Sequence, residues 1–119
     1  EGVTFSLKDC LGLIENLGIE VRQVRLSGGG ARSRLWREMQ TDVFGKETAV
    51  VSSAEGPAFG AALLAAVGTG AYASVEEACR ATIRVEDRLS PDPARRAAYA
   101  KAYGLYRDLY PALRPLFGR

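Results

Sequence analysis

Hydrophobic residues near the start of the chain recur at the three- and four-residue spacing of an α-helix, which predicts a first helix with one apolar face. These residues are Val3, Leu7, Cys10, Leu11, Ile14 and Leu17. Gly18 follows at the position where helices commonly end. The next segment, from Val21 to Leu26, predicts the first β-strand.

A second helical pattern covers about residues 33–44, and Gly45 closes it. We expect this helix to bury its apolar residues, which are Leu35, Trp36, Met39 and Val43. The apolar run Thr48–Val51 comes next and predicts a short buried strand.

A third helix is predicted from a capping-box sequence at residues 52–55 to Gly68. Pro57 suits its first turn, where no backbone N–H is needed. The small residues at 60–62 leave one side of this helix nearly bare. A backbone or a ligand can therefore approach it closely.

The remaining sequence predicts two more helices separated by a charged segment. The first covers about residues 74–83 and has a second capping-box sequence. Residues 84–88 hold four charges and one apolar residue and are expected to be extended and exposed. The last helix is predicted over about residues 93–110, capped by Asp92 and ended by Pro111. Its apolar stripe contains Tyr99, Tyr103, Leu105, Tyr106, Leu109 and Tyr110.

The predicted order of elements is α-β-α-β-α-α-α, and alternating strands and helices indicate an α/β fold with a parallel sheet. Two strands are too few for such a sheet, because both of its edges stay open. We therefore expect an incomplete sheet, with further strands in a preceding part of a longer protein.

Composition excludes several classes of function. The chain has 119 residues, which suits one small domain, and a net charge of +2 without a basic stripe, so we expect no nucleic-acid partner. Its longest apolar run is too short to cross a membrane. It has no histidine, which excludes histidine-based catalytic triads and metal sites. Cys10 and Cys79 are too far apart for a metal motif and are expected to be buried, reduced thiols of a cytoplasmic protein.

The most informative segment is the glycine-rich turn between the first strand and the second helix. Gly28, Gly29 and Gly30 allow a ligand to lie against the backbone, and the helix that follows presents unpaired N–H groups. This arrangement suits a phosphate or a nucleotide. It is neither a Walker A loop, which needs a following Gly-Lys-Ser/Thr, nor the dinucleotide fingerprint, because Ser33 stands at the third glycine position.

Several segments in sequence order resemble the FGGY carbohydrate kinases. Residues 26–36, Leu-Ser-Gly-Gly-Gly-Ala-Arg-Ser-Arg-Leu-Trp, resemble the adenosine-binding segment of that family. Residues 42–45, Asp-Val-Phe-Gly, are similar to the end of the family's following helix. Residues 55–65 resemble its Ala-x-Gly-Ala-Ala helix, and the tyrosine-rich residues 99–110 resemble its terminal helix. The resemblance covers essentially the whole chain.

The resemblance implies two actin-like domains with RNase H-like cores that close on a cleft. Residues 1–119 would be the C-terminal portion of the second, ATP-binding domain, the C-terminal half of an actin-like ATPase fold. The glycines Gly28, Gly29 and Gly30 would lie against the adenosine, Ser33 would occupy the position that contacts adenine, and Arg32 would approach the nucleotide.

The implied reaction is phosphorylation of a ketopentose, D-xylulose to D-xylulose 5-phosphate, by ATP with Mg²⁺; another pentulose or a polyol is the alternative. The family's catalytic aspartate and phosphate loops would lie upstream, so we expect no catalytic residue and no metal ligand in this chain, and no activity from it alone. Asp42 is expected to be structural. The open sheet edge and the aromatic last helix predict a homo-oligomer.

Two other functions stay open. The chain could be a non-catalytic, regulatory nucleotide-binding module of the same actin-like fold. It could also be an unrelated α/β interaction domain in which the glycine turn is only structural. Replacement of Gly29 by a bulky residue separates the last alternative from nucleotide binding.

Overall fold

The computed structural model describes residues 1–52 and 56–117. Within these ranges it has five α-helices, three β-strands and two short 3₁₀ turns. The helices are α1 Gly2–Asn16, α2 Arg34–Phe44, α3 Gly56–Gly68, α4 Val75–Thr82 and α5 Pro93–Leu113. The strands are β1 Gln23–Leu26, β2 Glu47–Val51 and β3 Val85–Leu89, and the 3₁₀ turns are Gly29–Arg32 and Arg114–Leu116. Most of the predicted capping box at residues 52–55 lies outside the described residues.

The sheet differs from the prediction by one strand. In the described residues the strand order is β1-β2-β3, with β1 parallel to β2 and β3 antiparallel to β2. Residues 84–88 are extended and exposed as predicted, but they also pair with β2, so the predicted order of elements is wrong at this point. Arg88 donates to Glu47 at 2.9 Å, and this bond helps to hold an edge strand that has little apolar surface.

The best-buried part of the molecule is the junction of α2 and β2. Val43 and Ala49 are each 1% exposed. The hydroxyls of Thr41 and Thr48 form a hydrogen bond of 2.5 Å across this junction, so that the two buried polar side chains satisfy one another.

Helix α1 docks through a different face from the predicted one. Thr4 and Phe5 are buried, because the Thr4 hydroxyl accepts a hydrogen bond of 3.0 Å from the Trp36 indole and Phe5 packs against Tyr103 and Tyr106 of α5. Most of the predicted apolar face is exposed or lines an open groove. The exposed members are Val3, Leu7, Cys10, Ile14 and Leu17.

Three further expectations are corrected. Leu35 is 71% exposed, because α2 presents its first turn to solvent. Cys10 is exposed and Cys79 only half-buried, although both are free thiols as predicted. Pro111 does not end α5, which continues to Leu113. This proline lies on an exposed part of the helix near its end, where water can satisfy the carbonyl that a missing N–H leaves free.

The predicted helix caps Ser74 and Asp92 are confirmed. The Ser74 hydroxyl accepts from the N–H of Glu77 at 3.1 Å, and the Asp92 carboxylate accepts from the N–H of Arg95 at 2.9 Å. Both α4 and α5 therefore begin where the sequence places their caps.

The molecule leaves much apolar surface uncovered. Its radius of gyration is 18.0 Å, whereas a compact domain of this length has about 13.5 Å. The outer faces of α1 and α5 carry exposed large side chains, including Leu13, Leu105, Leu109 and Tyr110, and the C-cap residue of α1, Leu17, is exposed as well.

Candidate nucleotide site

The three glycines after β1 differ in what the fold requires of them. Gly28 has φ 77° and ψ −173°, a conformation that only glycine adopts readily. A methyl group on Gly30 would overlap the ring of Trp36. A methyl group on Gly29 would meet nothing within 4 Å. Backbone geometry and packing thus account for Gly28 and Gly30, but the fold places no such demand on Gly29.

Trp36 and Ser33 join the turn to the rest of the molecule. The Trp36 ring cannot swing away from Gly30 freely, because its indole N–H donates to Thr4 at 3.0 Å. Ser33 is the N-cap of α2, and its hydroxyl accepts a long hydrogen bond of 3.4 Å from the N–H of Trp36. The exposed Ser33 hydroxyl can still donate its own proton.

A polar cleft of about 260 Å³ opens at the carboxyl ends of the parallel strands β1 and β2. This edge is where ligands bind in open α/β sheets. The residues that line the polar cleft are Leu26, Ser27, Gly28, Ala31, Arg32, Arg37, Val50, Val51, Ser52 and Glu86. Two of the predicted site residues, Gly28 and Arg32, are therefore brought together here, whereas Gly29, Gly30 and Ser33 do not line it.

An apolar cleft of about 380 Å³ adjoins the polar cleft, and the two share Ser27 and Val51. Its other lining residues come mainly from α3 and α4 and are Gly56, Phe59, Gly60, Leu63, Leu64, Val75, Cys79 and Ile83. The predicted bare side of α3 thus borders a cleft at Gly60. The wall that α4 provides is not predicted by the sequence, because nothing in the sequence connects α4 with the turn.

Arg37 is a second residue that the sequence analysis missed. Its guanidinium pairs with Asp87 of β3 at 2.6 Å, and only 15% of its side chain is exposed. Its Nε is buried and has no hydrogen-bond partner among the residues that the structure describes. Arg37 thus connects α2 to β3 and also lines the polar cleft.

Asp42 has the structural role that we expected near the end of α2. It is 1% exposed, and it accepts hydrogen bonds from the N–H of Asp92 at 2.7 Å and from Nε of Arg95 at 2.5 Å. These bonds fix the start of α5 against α2.

The N–H of Arg95, which donates to Asp92, is the main cause of a lowered pKa of the Asp92 carboxyl.

Within residues 1–52 and 56–117, no three histidine, cysteine or acidic side chains lie close enough together to hold a metal ion. None of the helices described there combines the length and apolar character needed to cross a membrane.

Comparison with known proteins gives consistent similarities. A sequence model of the C-terminal domain of the FGGY family of carbohydrate kinases matches residues 1–69. A xylulose kinase of Staphylococcus epidermidis is 34% identical over 110 residues, which are 92% of this chain and 22% of the relative. An L-xylulose/3-keto-L-gulonate kinase of Escherichia coli K12 is 36% identical over 119 residues, which are 100% of this chain and 24% of the relative. The chain thus spans about a quarter of the length of these curated relatives.

The structural similarity extends over nearly the whole chain. The crystal structure of xylulose kinase from Rhodospirillum rubrum matches with a TM-score of 0.81 and 29% identity, over 98% of this chain and 24% of that one. The match confirms the expected α/β, actin-like fold class.

Proposed function

Since this chain belongs to the FGGY family of carbohydrate kinases, we propose that it supplies the nucleoside-binding face of an ATP-dependent sugar kinase. The proposed reaction transfers the γ-phosphoryl group of ATP to D-xylulose and yields ADP and D-xylulose 5-phosphate. Similarity to xylulose kinases supports this substrate. A kinase named for L-xylulose and 3-keto-L-gulonate is 36% identical, and another pentulose or a polyol is therefore the alternative substrate.

The observation that carries the proposal is the meeting of two clefts beside the glycine turn. The apolar cleft offers hydrophobic walls to the flat face of a purine, and the polar cleft offers charged and hydroxyl groups to a sugar. The two clefts meet at Ser27 and Val51, so a base in the apolar cleft can have its sugar in the polar cleft. Gly29, for which the fold requires no glycine, leaves the backbone of the turn open to the ligand.

We assign separate tasks to the predicted contact residues. Gly28, Gly29 and Gly30 present backbone to the adenosine, and Arg32 approaches the nucleotide from the polar cleft. Ser33 lines neither cleft, and we propose that its exposed hydroxyl donates to the nucleotide from outside them, since its oxygen already accepts from the N–H of Trp36.

Phosphoryl transfer depends mainly on the positions of its groups and on neutralisation of charge. Mg²⁺ supplies charge neutralisation at the phosphates when it is bound. As the family membership implies, we propose that the metal, the phosphates and the catalytic aspartate are held outside this chain. The contribution of this chain is to position the nucleoside.

We also propose that copies of this chain associate. Both β1 and β3 are edges of the described sheet, and α1 and α5 expose apolar side chains. Sedimentation of the purified chain should show a dimer or larger species, and a monodisperse monomer would contradict this part of the proposal.

The two free cysteines provide a test of nucleotide binding. Cys79 lines the apolar cleft. Cys10 serves as an internal control, because it is exposed on α1 in another groove, which meets the polar cleft only at Leu26, Ser27 and Ala31. The purified chain is treated with N-ethylmaleimide with and without ATP, and the labelling rate of each thiol is followed by mass spectrometry. We expect millimolar ATP to slow the labelling of Cys79 several-fold and to leave Cys10 unchanged. Equal rates at Cys79 with and without ATP would contradict the proposal, as would equal slowing at both thiols.

A further inference from the structure

Strand β3 contains a β-bulge beside the polar cleft. Val50 of β2 is paired with Asp87, but the next residue of β2, Val51, is paired with Val85. Glu86 is therefore the extra residue of the strand. A bulge breaks the regular alternation of side chains and re-aims one of them, and bulges are over-represented beside functional sites.

The bulge brings two neighbouring carboxylates to the surroundings of one arginine. Asp87 pairs with Arg37 at 2.6 Å, and Glu86 lines the polar cleft that Arg37 also lines. In a regular strand, adjacent side chains point to opposite faces of the sheet. The sequence positions alone would therefore not place Glu86 and Asp87 near the same cleft.

The cleft combines acceptors and donors that are not used up within the protein. Glu86 forms no ion pair with the other residues that the structure describes, and Arg37 lines the same cleft while its guanidinium is held by Asp87. An ionised carboxylate accepts hydrogen bonds at both oxygens, and a guanidinium only donates. A pair of adjacent hydroxyls matches this set, because each hydroxyl donates one hydrogen bond and accepts others.

We propose that Glu86 is a specificity-determining residue that accepts hydrogen bonds from the ribose hydroxyls of the nucleotide. The inference rests on the proposed function. A base in the apolar cleft places its sugar across Ser27 and Val51, in the polar cleft where Glu86 lies. Arg37, held by Asp87, lines the same cleft and contributes positive charge there. The site consequently favours a ribonucleotide over a 2′-deoxyribonucleotide.

The test compares ATP with 2′-deoxy-ATP, which lacks one of the two hydroxyls. Dissociation constants of both nucleotides are measured by calorimetry for the full 119-residue chain and for Glu86→Ala. Glu20→Ala is the matched control, because Glu20 is an exposed glutamate that pairs with the exposed Arg22 and lines neither cleft. Glu86→Gln retains one acceptor oxygen and provides a graded second variant. Circular dichroism establishes that every variant is folded.

We expect the unmodified chain and Glu20→Ala to prefer ATP over 2′-deoxy-ATP by about tenfold, the usual size of one hydrogen bond to a charged group. In Glu86→Ala the dissociation constants of ATP and 2′-deoxy-ATP should be close to one another, mainly because ATP binds more weakly. The preference of Glu86→Gln for ATP should lie between those of the unmodified chain and Glu86→Ala. The ribose inference is overturned if the unmodified chain binds ATP and 2′-deoxy-ATP equally well. It is also overturned if Glu86→Ala keeps the preference for ATP. In both cases the nucleotide site itself stands. If neither nucleotide binds to the unmodified chain, the proposed function fails and this inference fails with it.

Discussion

The two ends of helix α2 differ in burial. Its last turn is buried: Gln40, Thr41, Asp42 and Val43 are each at most 6% exposed. Its first turn is open, and Leu35, an apolar residue, is 71% exposed. The same helix therefore ends in the core and begins at the exposed glycine turn, and only its Arg37 lines the polar cleft.

The polar groups at the two ends show what this difference means. Asp42 accepts from two donors at 2.7 and 2.5 Å, and Thr41 bonds Thr48 at 2.5 Å, so these two polar side chains of the buried end have close partners. At the open end, Ser33 makes a single long bond of 3.4 Å. A helix anchored at one end can hold the other end in a fixed position for a ligand, because precise sites need rigid support.

Replacement of Asp42, at the buried end of α2, should have the largest effect on the free energy of unfolding. Asp42→Ala removes the acceptor of two hydrogen bonds at a buried position, and we expect a loss of about 3 kcal/mol in the free energy of unfolding. Asp108→Ala, at an exposed aspartate of α5, is the control. Urea denaturation measures both. Equal stability of the two variants would show that the buried end of α2 is not anchored through Asp42.

Replacement of Gly30 should have the next largest effect, on the open end. Gly30→Ala drives a methyl group into the Trp36 ring, which the hydrogen bond to Thr4 restrains, and should cost about 2 kcal/mol of stability. Gly29→Ala is the matched control and should leave stability nearly unchanged. Since Trp36 is the only tryptophan, its fluorescence reports the shift of the ring in the same denaturation experiment. The packing account fails if the two variants unfold at the same urea concentration.

Acid should weaken the buried end by a smaller amount, through the cap of α5. The pKa of the Asp92 carboxyl is lowered in the folded state, first by the N–H of Arg95. A lowered pKa stabilises the fold above the ordinary carboxyl value of about 4, and this stabilisation is lost as the pH falls through the folded value. Asp92→Asn should therefore melt below the unmodified chain at pH 7, with a gap that narrows below about pH 4. A constant gap from pH 7 to pH 2 would disprove this assignment.

The sequence predicted the parts of the fold that depend on local signals. The bounds of α2, the caps Ser74 and Asp92, and strand β2 follow from residues near one another in the chain. Strand β3 was missed, because four charges among residues 84–88 obscure its pairing with β2. The buried face of α1 was also missed, since the bond between Thr4 and Trp36 joins residues that are far apart in sequence.

The candidate site likewise has a part that local sequence signals predict and a part that they do not. The glycine turn was predicted from its composition and from its position between a strand and a helix. The far walls of the clefts, which include Cys79 and Glu86, were not, because they come from segments about 50 residues later in the chain. The position of Glu86 depends moreover on a bulge, which has no local sequence signal here.

Amide chemical shifts of the chain, recorded with and without MgATP, test the central claim most directly, because they report both ends of α2 at once. The account predicts shifts for Gly28–Ser33 and for the start of α3, with the signals of Gln40–Val43 unmoved. A well-dispersed spectrum in which Gly28–Ser33 do not respond to MgATP would contradict the claim that the open end of α2 is a nucleotide site.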